Sequence, residues 1–169
     1  LDLLAKAFEK VATARPDVHL VLVGQDQGAQ VDIERMAFTH GLQSRVHFTG
    51  PIFDHRKMAA YRDAAVFCLP SRHEGFSMAI TEALAWACPV VITKTCHFPE
   101  VTQTGCGLEV DLDPQQIADG LLSILNDSKT AAAMGARGRE MVLSTYTWPA
   151  IAARMVGVYE SAISRMGGR

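Results

Sequence analysis

The sequence lacks a surplus of charge, a long apolar run and a leader-like first segment. Its 169 residues carry 16 Lys and Arg against 18 Asp and Glu, which gives a formal net charge of −2 at pH 7. Because neutralising phosphates needs a surplus of Lys and Arg, this balance argues against a general nucleic-acid binder. The longest apolar runs, such as Pro89–Thr93, have the length of a strand and fall short of the ~20 residues of a membrane span. Charged residues interrupt segment 1–14, so this segment does not have the pattern of a signal peptide.

Cysteine is also sparse, and its spacing excludes two common uses. The four cysteines form no Cys-x-x-Cys pair; they are Cys68, Cys88, Cys96 and Cys106. A zinc ribbon or a dithiol redox motif is therefore not expected, and no metal site is predicted. Because free cysteine is often simply a small buried residue, we expect reduced thiols in the core and a cytoplasmic location.

Apolar residues, by contrast, make up 49% of the sequence, which suits a single globular domain over residues 1–169. This length falls within the ~100–200 residues of one domain and allows a full core. Segments with apolar residues at helical spacing alternate with short runs rich in Val and Leu. The pattern predicts helices over residues 1–14, 31–40, 55–63, 77–87, 114–126, 129–145 and 148–165, and strands over residues 18–23, 46–49, 64–69, 89–93 and 107–111.

Strands that alternate with helices predict an α/β fold with a doubly wound, Rossmann-like parallel sheet buried on both faces. In such sheets ligands bind beyond the carboxyl ends of the strands, here the loops after Val23, Phe48, Leu69 and Ile92. The sheet normally begins with a strand whose turn carries phosphate-binding residues. This sequence begins instead within a helical pattern. We therefore expect that the first strand and its turn are missing and that the domain is truncated at its amino terminus.

The loop after the third predicted strand carries the clearest chemical signal. Glu74 and Gly75 lie in this loop, and Glu82 follows in the next helix, with seven residues between the two glutamates. A glycine allows the backbone to approach a ligand closely. A carboxylate can accept two hydrogen bonds from a cis-diol such as the 2′ and 3′ hydroxyls of a ribose. We therefore expect Glu82 to bind such a diol and Glu74 to lie nearer the far end of the ligand.

The start of that helix adds a predicted anion site. Ser77 is a natural N-cap, so the amides of Phe76, Ser77 and Met78 are expected to point out of a helix N-terminus, where a diphosphate would bind. A structural interpretation competes with this one. Glu74 would then be an exposed loop residue, and Glu82 would serve only to complement the helix macrodipole.

Further segments follow these residues in a recognisable order. They are Glu74–Ser77 with Glu82–Ala85, the strand Pro89–Thr93, and Pro99–Val101, with Val46–Gly50, Gly105–Val110 and Tyr146–Trp148 extending the pattern over nearly the whole chain. Together these segments resemble the carboxyl-terminal domain of the retaining glycosyltransferases of family 4, which have the GT-B fold.

The resemblance implies transfer of a sugar from a nucleoside diphosphate sugar to an acceptor, with retention of configuration and usually without a metal. It implies that Glu74 contacts the reacting sugar as the catalytic residue and that Glu82 holds the ribose hydroxyls. The amides of Gly75–Met78 would face the sugar and the phosphates, and Ile52 would border the nucleobase. An amino-terminal domain of the same protein would supply most of the acceptor site. The resemblance allows that domain to contact the inner face of the membrane but does not require it.

Several positions depart from the family pattern. The Arg and Lys that neutralise the diphosphate would precede Leu1, which leaves the helix amides to meet the phosphate charge. Cys88 stands where the family commonly has glycine, so a reshaped helix end is expected. His97 stands where small residues are common, and a hydrogen-bonded turn histidine is favoured over a phosphate contact.

Three more residues have two interpretations each. His73 could assist Glu74 in the cleft or be a plain loop residue, and Arg72 could contact phosphate or sugar, although an exposed loop arginine is favoured. Trp148 begins the last helix, which in family members crosses back towards the amino-terminal domain. Its side chain could lie towards that domain, or it could be an anchor of the core.

Two other functions compete with sugar transfer. A non-catalytic nucleotide-sugar-binding module, or a pseudo-enzyme that acts as a structural partner, would carry the same loop without an upstream domain and its basic turn. A related GT-B nucleotide-sugar epimerase is disfavoured, because the segment from Glu74 to Glu82 resembles the family 4 enzymes.

Overall fold

The computed structural model describes residues 1–167, with side chains described through residue 165. Its helices and strands follow the predicted alternation, and two short elements after the fourth strand were not predicted: a 3₁₀ turn over Lys94–Cys96 and a helix over Glu100–Gln103. The strands are β1 (Leu20–Val23), β2 (Val46–Gly50), β3 (Phe67–Leu69), β4 (Val90–Thr93) and β5 (Gly107–Val110). The helices are α1 (Asp2–Ala14), α2 (Gln30–Thr39), α3 (Asp54–Asp63), α4 (Met78–Ala85), α5 (Glu100–Gln103), α6 (Pro114–Leu125), α7 (Ser128–Thr145) and α8 (Trp148–Gly167).

All strand pairing in the described residues is parallel, which confirms the predicted α/β class. β1 pairs with β2, and β3, β4 and β5 form a second sheet in that order. Over the described part of the chain, β1 and β3 do not pair with each other. The parallel strands therefore form two separate sheets in the described part of the chain.

The core consists of two apolar clusters that meet at β4. Val91 belongs to a cluster that includes residues of α1, α2 and α6, whereas Val90 and Ile92 belong to a cluster that includes residues of α4, α5 and α7. Successive side chains of a strand point to opposite faces, so β4 is buried on both sides as predicted. The prediction of burial on both faces is wrong for β1, because the side chains of Val21 and Val23 are 52% and 49% exposed. One face of the β1–β2 pair is left uncovered by the described residues.

Two helix ends show how local sequence positions the elements. Asp113 caps α6 by accepting hydrogen bonds from the amides of Gln115 and Gln116, with Pro114 in the first turn. After α4 the chain reverses through Ala87, which has a φ of 58°. The expectation that Cys88 reshapes this end was wrong, because the left-handed residue is Ala87 and Cys88 lies buried in the core.

The thiols and the closing helix complete the fold. All four cysteines are free, and Cys88, Cys96 and Cys106 are buried as expected. Burial raises the pKa of Cys68 and of Cys88 to about 12, so both thiols stay protonated at neutral pH.

The side chain of Trp148, at the start of the last helix, is 84% exposed and is not a core anchor. Within residues 1–167, no helix is long and apolar enough to cross a membrane.

Candidate functional site

The loops that follow β3 and β4 are joined at the carboxyl edge of the sheet. The hydroxyls of Thr93 and Thr95 each donate a 2.6 Å hydrogen bond to the carbonyl of Ser71. The amide of Glu74 donates to the carbonyl of Thr95 at 3.2 Å. Because Thr93 is fully buried, these contacts tie the Glu74 loop to the core of the domain. The edge is the one at which parallel α/β sheets bind their ligands.

Glu74 lies in this loop with a half-buried side chain. Its backbone is held by Thr95, but its carboxylate accepts no hydrogen bond and forms no ion pair with any described residue. The carboxylate is therefore free to contact a ligand at this edge. Glu74 lies in the loop after the third strand, as the sequence predicted, and its place relative to a ligand and its catalytic role stay predictions.

The segment after Glu74 leads into α4 without protein partners for its amides. Ser77 occupies the predicted N-cap position and is buried, but its hydroxyl makes no capping hydrogen bond. Among the described residues, the amides of Phe76, Ser77 and Met78 donate to no backbone or side-chain acceptor. A Cβ placed on Gly75 would meet open space. Unpaired amides beside open space at a helix N-terminus form a setting suited to an anion.

Phe76 is anchored by aromatic rings on its inner side. Its ring centroid lies 5.7 Å from that of Phe98 and 5.4 Å from that of Tyr146. The phenol of Tyr146 donates a 3.0 Å hydrogen bond to Glu100. Burial and the Glu100 carboxylate raise the pKa of Tyr146 to about 12, so the phenol remains a donor over the neutral range. Met78 stays 64% exposed beside this cluster.

Glu82 is the most extensively bound carboxylate of the site. Its Oε1 accepts a 2.7 Å hydrogen bond from Lys57 Nζ, and its Oε2 accepts one of 3.1 Å from the hydroxyl of Tyr61. Lys57 and Tyr61 both belong to α3, so the carboxylate lies between α3 and α4. Sequence reasoning missed both partners. Their separation of four residues, which puts them on one face of a helix, is the signal that could have drawn attention to them.

Ile52 lies between β2 and α3 and is half-buried. The chain enters α3 through Asp54, whose φ of 54° is in the left-handed region. Ile52 thus belongs to the segment that leads directly into the helix carrying Lys57 and Tyr61. No contact of Ile52 tests its predicted place beside a nucleobase, and that place stays a prediction.

The basic and imidazole side chains near Glu74 fall into two groups. Arg72 forms a 2.8 Å ion pair with Asp2 of α1 and is exposed, as favoured from the sequence. The rings of His73 and His97 meet edge to face, with their centroids 6.1 Å apart. His97 is the left-handed residue that ends the 3₁₀ turn, with a φ of 53°. Its ring makes no hydrogen bond with the described residues, so the predicted turn position is confirmed but the expected hydrogen bond is not found.

The described residues contain no group of three or more His, Cys, Asp or Glu side chains placed to hold a metal ion. The site described above offers the carboxylates of Glu74 and Glu82, the backbone amides at the start of α4 and the amine of Lys57. Such a set suits hydrogen bonding to hydroxyls and to anionic oxygens.

Comparison with known proteins identifies the family. The family described as Glycosyl transferases group 1 matches residues 1–141. A D-inositol 3-phosphate glycosyltransferase of Corynebacterium glutamicum is 32% identical over 170 aligned positions, covering 96% of this chain and 40% of that protein. A second protein of this species is named GDP-mannose-dependent monoacylated alpha-(1-6)-phosphatidylinositol monomannoside mannosyltransferase. It is 29% identical over 168 positions, covering 95% of this chain and 43% of that protein.

Solved structures agree with the sequence comparison. The carboxyl-terminal domain of a group 1 family glycosyl transferase, LpcC from Francisella tularensis, has a TM-score of 0.74 and 28% identity. The match covers 85% of this chain and 79% of that domain. The chain spans less than half the length of the two Corynebacterium proteins. The chain belongs to the group 1 glycosyl transferases, and its fold is that of the carboxyl-terminal domain of a GT-B protein.

Proposed function

We propose that this chain is the donor-binding half of a retaining glycosyltransferase of family 4, which transfers a hexose from a nucleoside diphosphate sugar to an acceptor. The observation that carries the proposal is the arrangement around α4. Unpaired amides at its N-terminus stand in sequence between a free carboxylate, Glu74, and a second carboxylate, Glu82, one turn into the helix. An anion flanked by hydroxyl-bearing groups on both sides matches this order.

A nucleoside diphosphate hexose has that composition. Its diphosphate would meet the amides of Phe76, Ser77 and Met78, where the helix dipole favours negative charge. Its ribose would bind Glu82, its nucleobase would border Ile52, and its hexose would lie at Glu74. The open space over Gly75 would allow the sugar and phosphate to approach the backbone.

Catalysis in this proposal rests on positioning and on charge stabilisation. The amides of α4 would stabilise the nucleoside diphosphate as it departs, because the developing charge is met by fixed dipoles. Cys68 is half-buried and Cys88 is buried, and both thiols stay protonated, which makes them unsuitable as covalent nucleophiles. We further propose that transfer needs no resident metal, since the amides can meet the charge that a cation would otherwise neutralise.

The acceptor site is proposed to lie on an amino-terminal GT-B domain of the same protein. The last helix supports this, because α8 carries exposed apolar side chains that nothing in the described residues covers. They include Trp148, Met155, Val156, Val158, Tyr159 and Ile163. A partner domain seated on these side chains would bury them. We propose a cytoplasmic protein; the relative named for a phosphatidylinositol mannoside makes a glycan or lipid acceptor at the inner face of the membrane a candidate.

The test is a transfer assay on a protein in which this chain is joined to its amino-terminal domain. GDP-mannose, UDP-glucose and UDP-N-acetylglucosamine are supplied as donors with a phosphatidylinositol or oligosaccharide acceptor. The result expected is release of a nucleoside diphosphate from one donor, formation of an α-linked product, and unchanged rates in EDTA. Binding of a donor without release of the nucleoside diphosphate would favour the non-catalytic module instead. Failure to bind any donor would overturn the proposal.

A further inference from the structure

The carboxylate of Glu82 is held from one helix by two donors of different kinds. Lys57 Nζ binds Oε1 at 2.7 Å, and the hydroxyl of Tyr61 binds Oε2 at 3.1 Å. An ionised carboxylate has about four acceptor positions, two on each oxygen. One position on each oxygen is therefore occupied, and no other described residue donates to either oxygen. What remains is one acceptor position on each of two adjacent oxygens.

Two acceptors side by side match two donors side by side. The vicinal hydroxyls of a ribose present such a pair, whereas a single hydroxyl would use only one of the positions. A carboxylate free to rotate would present both positions only part of the time. Fixing both oxygens removes that rotation before a ligand arrives, which lowers the entropy cost of binding.

One of the two donors, Tyr61, is itself held by packing. Tyr61 is half-buried, and its ring packs edge-on against Phe67 of β3 with the centroids 5.7 Å apart. Desolvation and the Glu82 charge raise the pKa of Tyr61, so the phenol remains protonated and donates. Lys57 is charged and keeps two further N–H donors beyond the one that binds Glu82. Its side chain is 39% exposed, so these donors can reach a ligand.

We propose that Lys57 and Tyr61 are positioning residues of the donor site, which orient Glu82 so that its two remaining acceptor positions receive the 2′ and 3′ hydroxyls of the ribose. This inference rests on the proposed function. It extends the site from the α4 loop to α3 and makes the discrimination between ribonucleotides and deoxyribonucleotides depend on residues that do not themselves bind the diol.

The experiment measures this discrimination by titration calorimetry on the protein that carries both domains. UDP, GDP and ADP are screened first, and the tightest ligand is then compared with its 2′-deoxy counterpart. The ratio of the two dissociation constants isolates the diol contact, because a change in charge near the phosphates weakens both ligands alike. Lys57→Met and Tyr61→Phe are compared with the wild type, and Lys57→Arg serves as the conservative variant.

We expect each of Lys57→Met and Tyr61→Phe to weaken binding of the ribonucleotide by about 2- to 12-fold, the range of one hydrogen bond. Binding of the 2′-deoxy ligand should change less, so the ratio falls towards one. Lys57→Arg should keep part of the ratio. In a Glu82→Gln background, Lys57→Met should have no further effect on the ratio. The matched control is Arg56→Met, an exposed cation on the same helix without an ion pair among the described residues, which should leave both constants within about twofold.

Two results would overturn the inference. If the folded Lys57→Met and Tyr61→Phe proteins keep the wild-type ratio of the two dissociation constants, their side chains serve only to join α3 to α4. Absence of binding of all three nucleoside diphosphates to the wild-type protein would remove the proposed function and the inference with it. Binding by the wild type together with an unchanged ratio in the variants would remove the inference alone.

Discussion

The amide of Glu74 donates a hydrogen bond to the carbonyl of Thr95 at 3.2 Å, which couples the loop after β3 to the loop after β4. Thr95 in turn donates through its hydroxyl to Ser71, at the start of the Glu74 loop. The backbone is thus held at the amide of the proposed catalytic residue and at Ser71 before it, while the carboxylate of Glu74 is left without a partner among the described residues. This arrangement positions the backbone from which the Glu74 side chain extends and leaves the hydrogen-bonding capacity of its carboxylate for a ligand.

Glu74→Gln should lower turnover more than it lowers affinity for the donor. Gln keeps the shape of the side chain but removes the charge, and we place Glu74 at the sugar whose geometry and charge change during transfer. Interactions made mainly in the transition state affect kcat and not the Michaelis constant. Steady-state kinetics with the donor titrated at saturating acceptor measures both constants. An unchanged kcat would show that the assigned role of Glu74 is wrong.

Glu82→Gln should have the opposite effect on the two constants. Losing about 1.5–3 kcal/mol of charge-assisted hydrogen bonding would weaken donor binding by about 10- to 150-fold. Because the ribose is remote from the bond that breaks, this loss is largely uniform binding, and KM should rise more than kcat falls. The same titration provides the measurement. Donor affinity that survives the substitution would refute the assignment of Glu82 to the ribose.

Tyr146→Phe should reduce the loss of stability at high pH. The pKa of Tyr146 is raised from its ordinary value near 10 to about 12 in the folded protein. A raised pKa stabilises the folded state below pH 10, and this contribution is lost as the pH rises towards 12. Phe cannot ionise, so the variant should be less stable at pH 8 but should lose less stability over pH 10–12. Urea unfolding at each pH measures this; parallel curves for the two proteins would contradict it.

Gly135→Ala should strongly destabilise the domain. A Cβ at Gly135 of α7 would collide with the backbone carbonyl of Ala87, the left-handed residue after α4. Forcing the two elements apart is expected to cost about 1–3 kcal/mol, as overpacking does in other cores. Gly157→Ala is the matched control, because a Cβ at Gly157 of α8 meets open space and alanine favours a helix. Chemical unfolding of both variants should give changes of opposite sign, and equal stabilities would disprove the packing argument.

Residues 1–169 produced by themselves should be poorly stable or should aggregate. β1 and β3 each pair on one edge in the described structure and do not pair with each other. The unpaired edges leave backbone groups without strand partners, and Val21 and Val23 stay about half exposed, so this part of the domain buries little apolar surface against a total stability of only about 5–15 kcal/mol. Exposed strand edges also promote association. Thermal unfolding and gel filtration check this; a cooperative, reversible transition of a monomer at mesophilic temperatures would contradict it.

Much of the fold followed from local sequence. Asp113-Pro114 starts α6 because both residues favour a helix N-terminus, and the run Val90–Thr93 forms a strand buried on both faces because every side chain in it suits a core. The segment from Glu74 to Glu82 indicated the candidate site because its loop, its N-cap position and its helix are contiguous in the chain. Patterns of this kind need only neighbours along the chain.

Contacts between distant segments were decided by the tertiary structure alone. Lys57 lies 25 residues before Glu82, and only the packing of α3 beside α4 brings their charges within 2.7 Å. Tyr146 reaches Phe76 because α7 returns across α4. The half-exposed faces of Val21 and Val23 were equally hidden from the sequence, since an apolar strand predicts burial without specifying what covers it. Periodicity and spacing indicate which residues lie on the same face of a helix or strand. What that face contacts depends on how the helices and strands pack against one another.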